Sequence, residues 1–292
     1  MNIKMLFTIK FFSSFIFLCA IFLNCSANGN KGDSLYVSGR YFEASIEYER
    51  MIFNSENPAS LNYLKYKKAL CYKKMMNYKQ SLEELQSIYL PDNKDTLFQY
   101  IYYQQSLCFY LDQEPAKALW KIDEYLNQNA DTSSLKIFLP LKILCLNEAF
   151  KWKESQECFV RFIHLQNFSP EINDKTLQLV NELYNKKNLP HIRLIKRAEN
   201  WSRFIPGAGQ IYAGKTGEGI TNFLLNASIL AFSAYQVLNG YYFTGYLAGL
   251  GFFNKTYQGG IKRSGILASR KNKEQIVSFN GKMNERIRYC LN

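Results

Sequence analysis

The chain has 292 residues, 47% of them hydrophobic and 16% aromatic, and a formal net charge of +12. That apolar content excludes a disordered chain, and the length leaves room for two domains. Residues 1–185 carry 20 Lys/Arg against 20 Asp/Glu and residues 186–292 carry 16 against 4, so the basic charge belongs wholly to the C-terminal part.

At the amino terminus Lys4 and Lys10 precede an uncharged run, Phe11 to Leu23, whose length suits a signal-peptide core better than a spanning helix. Residues 1–27 therefore read as a signal peptide or lipoprotein signal. Cys25 is the lipidation candidate: Phe22-Leu23-Asn24-Cys25 is similar to a bacterial lipobox, although Phe22 and Asn24 replace its usual Leu and small residue. Cleavage after Ala27, or an uncleaved anchor, are the alternatives.

Residues 30–188 repeat with a period of 37. Ala44, Ser81, Ala118 and Ser155 share one register, followed four later by Tyr48, Leu85, Ile122 and Phe159, and preceded by Leu35, Tyr72, Phe109 and Leu146. Spacings of three and four on an apolar stripe predict helices, two to a period, so the expected fold is all-α: a stack of helical hairpins. Cys71, Cys108 and Cys145 fill one equivalent position and read as small core residues, not as a disulfide or metal set. Gly39 and Tyr41, Ala44 and Pro58 give this stretch a resemblance to the tetratricopeptide-repeat family, whose fold is a solenoid of helical hairpins. Here the period exceeds the family's 34, and Pro115 stands where the other units have an aromatic.

Asn188 to Pro190 is the expected boundary; residues 190–292 then read as a basic linker, an apolar hairpin and a basic C-terminal tail. From Gly219 to Asn254 there is no charge, and Asn239-Gly240 divides the run into two limbs. The expectation is a two-helix transmembrane hairpin, with Gly245 and Gly249 packing against Ala227, Ala231 and Ala234 of the first limb. Just before it, Gly209 to Thr216 satisfies the phosphate-loop pattern G-x-x-x-x-G-K-T, but Pro206 interrupts the run where a strand is required and no Asp follows Asp174. Pro206, Gly207, Gly209, Tyr212 and Gly214 instead form a Pro-Gly-x-Gly-x-x-Tyr-x-Gly turn that resembles the start of TM2-like membrane domains, and that resemblance implies two membrane helices and no catalytic activity.

These readings converge on a non-catalytic, membrane-attached interaction scaffold of a bacterial cell envelope, with no cofactor or metal. Its expected partners are a peptide or protein on the repeat surface and a membrane with anionic lipid; nucleic acid is not expected, because the aromatics lie within the apolar limbs and not between the charges. The alternatives are a nucleotide-binding membrane enzyme using Lys215 and a membrane-shaping component. Export places the repeats in the periplasm, yet the basic flanks of a hairpin favour the cytoplasm, so topology is left in conflict.

Overall fold

The computed structural model describes residues 30–89, 96–166 and 168–289, and the signal segment with Cys25 lies outside them. Every regular element among the described residues is helical. Four helix pairs come first: α1 (Lys31–Val37) with α2 (Tyr41–Phe53), α3 (Pro58–Lys74) with α4 (Tyr78–Gln86), α5 (Thr96–Leu111) with α6 (Pro115–Gln128), and α7 (Thr132–Glu148) with α8 (Trp152–His164). Then follow α9 (Pro170–Leu183), α10 (Ile195–Phe204), α11 (Ala208–Tyr212), α12 (Thr216–Leu238), α13 (Tyr242–Tyr246), a π-helical segment (Leu247–Phe253) and α14 (Asn254–Tyr289).

The second helices of the pairs begin at Tyr41, Tyr78, Pro115 and Trp152, each 37 residues after the last. Backbone geometry repeats with them. Gly39, Met76, Gln113 and Phe150 all have φ between 60° and 81°. After each, one N–H reaches back over the turn: Arg40 to the Leu35 carbonyl, Asn77 to Tyr72, Glu114 to Phe109 and Lys151 to Leu146, all at 2.9 Å. This is the six-to-one closure that ends a helix with a left-handed residue. Pro115 opens α6 because the first helical position needs no N–H and favours the fixed φ of proline.

The core follows the same register. Ala44, Ala118 and Ser155 are fully buried and Ser81 is 1% exposed, so the pairs approach closely at this position. Where serine replaces alanine its hydroxyl donates to the carbonyl twelve residues earlier, Ser81 to Ala69 at 2.8 Å and Ser155 to Ile143 at 3.0 Å, so the buried oxygen is satisfied. Cys71, Cys108 and Cys145 are wholly buried, whereas Ser34, their counterpart at the first pair, is exposed. Ion pairs keep step as well: Lys68 meets Glu49, and Lys142 meets Asp123 at 2.7 Å, two periods on.

The described residues form two compact units, one ending at Lys121 and the other beginning at Ile122, within α6. Asn188 to Pro190 lies inside the second unit. There the basic C-terminal segment is a 36-residue helix, α14, which packs on α10, α11 and α12 and also reaches α7. Its inward face carries Ile261, Leu267, Ala268, Ile276, Phe279, Met283 and Ile287 at spacings that return to one side of a helix. Asn147 donates to Asn280 Oδ1 at 2.9 Å, Asn280 donates to the Leu144 carbonyl, and Phe279 packs edge-on against Trp152 and Tyr184.

The transmembrane hairpin expected from the sequence is corrected by the structure: among the described residues no helix is long and apolar enough to cross a membrane. Its first limb is a single helix of 23 residues, α12, but Asn222, Asn226, Ser233 and Gln236 recur along it. The second limb is divided into α13, of five residues, and a π-helical segment of seven before α14 begins.

Candidate functional site

Apart from Cys25, which lies outside the described residues, the site candidates singled out in sequence lie at two places in the second unit: a glycine turn joining α10, α11, α12 and α14, and the two arms that run on from it. At the turn, Ser202 on α10 is the organising side chain. Its hydroxyl accepts from the Gly209 N–H at 3.1 Å and donates to Gln210 Oε1 at 3.2 Å, while Gln210 Nε2 donates to the Gly260 carbonyl at 3.2 Å. Gln210 is fully buried, so the amide links α11 to α14 with both ends satisfied. Gly209 has no room for a side chain, since a Cβ there would overlap the Ala198 carbonyl oxygen. Gly207, at φ 92°, caps α11 and sits against the Gly219 carbonyl of α12. Tyr212 packs on the small core of Ala198, Ala213, Leu267 and Ala268, and its hydroxyl accepts from the Leu194 N–H at 3.3 Å. Gly214, at φ 85°, ends α11 under the Arg193 guanidinium. Pro206 is half-buried at the entry to the turn.

A phosphate cradle needs free backbone N–H groups, and here most are already used. Gly209 N–H goes to Ser202, Ile211 N–H to the Gly207 carbonyl, Ala213 N–H to Gly209, Gly214 N–H to Ile211 and Lys215 N–H to Gln210. Lys215 itself is exposed. The loop is thus closed on itself, in place of the open nest that a nucleotide phosphate requires.

Beyond the turn the two arms pack with their polar side inward. On α12, from Gly219 onward, the less exposed residues are Gly219, which sits against α11, and then Asn222, Asn226, Ile229, Ser233 and Gln236, again at helical spacing. Ser233 donates to the Gly245 carbonyl at 2.6 Å and Thr256 to Asn226 Oδ1 at 2.9 Å, while Asn226 donates to Asn222 at 2.6 Å. Gly245 and Gly249 both face this seam: a Cβ on Gly245 would come within 2.6 Å of Val237 Cγ2, and one on Gly249 within 2.7 Å of Ser233 Oγ. Ala227, Ala231 and Ala234, the expected partners of those glycines, are exposed.

The large apolar side chains are on the other side. Asn226 is 1% exposed, while Leu224 is 57%, Leu238 85%, Phe243 79% and Phe252 61% exposed. A helix pair with water around it has the opposite arrangement. The exposed apolar surface continues at the base of the arms through Trp201, Phe204 and Ile205, where Arg197, Arg203, Lys215, Lys255 and Lys262 are also exposed. Glu218 is held there by Arg263, with Nε to Oε1 at 2.6 Å, and its carboxyl is lowered below the usual range by that hydrogen bond.

Sequence reasoning missed α14 as a docked element. The signal was present, since its apolar residues from Ile261 to Ile287 keep helical spacing between the charges. Compared with protein-family models, with curated proteins and with solved structures, the chain has no match.

Proposed function

We propose that this chain is a non-catalytic interaction scaffold of a bacterial cell envelope, a tetratricopeptide-like repeat presenting its surface to a peptide or protein partner while the α12–α13 arms attach it to an anionic lipid surface. The inverted burial of the arms carries this reading. Asparagine, serine and threonine are paired inside and leucine and phenylalanine are outside, which is stable where the surrounding medium is hydrocarbon, at about 25 cal/mol per Å² of apolar surface removed from water. Arms that enter one leaflet without crossing need only one apolar outer face. They also remove the conflict over sidedness, because no segment has to change sides. Trp201 and Phe204 suit the headgroup level, and each exposed Lys or Arg beside them adds on the order of 1 kcal/mol of attraction to anionic lipid. Acylation of Cys25 would supply a second attachment, and two weak signals hold far better than one.

Flotation of the full-length protein with phosphatidylglycerol-containing vesicles, beside pure phosphatidylcholine vesicles, tests the attachment. The wild type is expected to float with the anionic vesicles and to lose affinity in high salt. Leu224→Ser, Phe232→Ser and Phe243→Ser together, all at exposed positions, are expected to leave the circular dichroism spectrum unchanged and to abolish flotation. Equal flotation of this variant would sink the reading. Crosslinking to an ATP analogue that disappears in Lys215→Ala would replace it with the nucleotide enzyme.

A further inference from the structure

A second feature of this unit lies apart from the glycine turn and the arms. Between α9 and the last turns of α14 is a cavity of about 220 Å³. Its apolar lining comes from Leu179, Leu183 and Phe279. Phe279 is only 5% exposed and held edge-on by Trp152 at 5.4 Å and Tyr184 at 5.7 Å between ring centres, so that wall is rigid. Lys282 and Arg286, one turn apart on α14, supply two exposed cations, and Glu182 on α9 supplies one carboxylate. None of these three side chains is in an ion pair or side-chain hydrogen bond among the described residues.

We infer that this cavity binds the C-terminal end of a peptide whose last residue is apolar. The match has three parts. A terminal carboxylate meets Lys282 and Arg286, the last side chain lies on Leu179, Leu183 and Phe279, and a backbone N–H of the peptide faces the Glu182 carboxylate. Charge-assisted hydrogen bonds are the strong ones, and two adjacent cations favour a carboxylate over a neutral amide end. The volume admits one side chain with its carboxylate, which fits a chain end better than an internal stretch of peptide. Phe279 and Lys282 share α14 with Asn280, so the site exists only while that helix is docked on α7. This deepens the scaffold reading by naming the partner's chemistry, and its test does not involve lipid.

The experiment uses the full-length protein in detergent and a fluorescein-labelled Gly-Ser-Gly-Ser-Leu-Phe peptide with a free carboxylate, read by anisotropy. Saturable binding is expected, weakened at least about tenfold when the same peptide carries a C-terminal amide, and equally weakened by Lys282→Glu with Arg286→Glu. Lys282→Arg with Arg286→Lys is expected to keep the affinity, which separates charge from damage to the fold. Equal binding of acid and amide peptides, an unaffected charge-reversed variant, or no saturable binding by the wild type each overturns the inference. Free phenylalanine competing as well as the peptide overturns it in favour of an amino-acid site. Flotation on anionic vesicles is unaffected by any of these outcomes, so the site and the attachment fail separately.

Discussion

Met76, Gln113 and Phe150 hold left-handed backbone that Gly39 adopts without a side-chain penalty at the first pair. Replacing Met76, which is 62% exposed, with glycine relieves that strain and removes little packing. Met76→Gly is expected to raise unfolding stability by roughly 0.5 to 1 kcal/mol, measured by denaturant titration. Lys73 presents a different residue-scale cost. Its ammonium is buried, donates to Gln104 Oε1, and is lowered by burial to about 8. An unfolded lysine titrates near about 10.4, so between those values the unfolded chain holds a proton that the folded chain has released. Stability is therefore expected to rise with pH across that window, by roughly 3 kcal/mol, with the penalty complete below pH 8. Cys71, raised by burial to about 12, and Cys108, also raised, act oppositely as pH passes the unfolded thiol value. The check is thus the difference between wild type and Lys73→Met across pH 7 to about 10.5, which isolates the lysine.

At the level of elements, the repeat pairs were legible because local signals agreed: the 37-residue register, a turn at a fixed place in each period, and small residues at the closest approach. The sense of the arms was less so. Both Ala227-Ala231-Ala234 and Asn222-Asn226-Ser233 lie at helical spacing, and choosing by size favours the alanines. The structure chooses by hydrogen bonding, since Ser233 finds a partner on the opposite arm and Asn226 one at the start of α14, and alanine has none to offer. Glycines divide in the same way. Gly209 is enclosed by the α10 backbone, so Gly209→Ala is expected to cost more than about 3 kcal/mol and to loosen the turn. Gly281, on the exposed side of α14 with open space around it, is the control: Gly281→Ala is expected to stabilise by about 0.5 to 1 kcal/mol. Thermal unfolding of the two variants side by side checks both signs.

On the scale of the molecule, the docking of α14 on the fourth repeat pair was the least visible feature, because the contact joins residues more than 130 positions apart. A basic segment at the end of a chain reads as a solvated tail until its apolar stripe has a surface to meet. Asn280→Leu is expected to destabilise the second unit by about 1 to 3 kcal/mol, as it leaves the buried Asn147 amide without its acceptor. Hydrogen exchange should accelerate over 272–288, while α3 and α4 of the first unit keep their protection. Adding Asn147→Leu should recover part of the loss, since two apolar groups no longer leave a polar one stranded. The same helix sets a length. It starts at Asn254, where the π-helical segment of the second arm ends, and Lys282 is 28 residues further on, which at 1.5 Å per residue is roughly 42 Å along its axis. A continuous helix does not coil up as a linker does, so the proposed peptide site at Lys282 is kept at a stand-off distance from the exposed apolar faces of the arms, measured out by a ruler belonging to the chain itself.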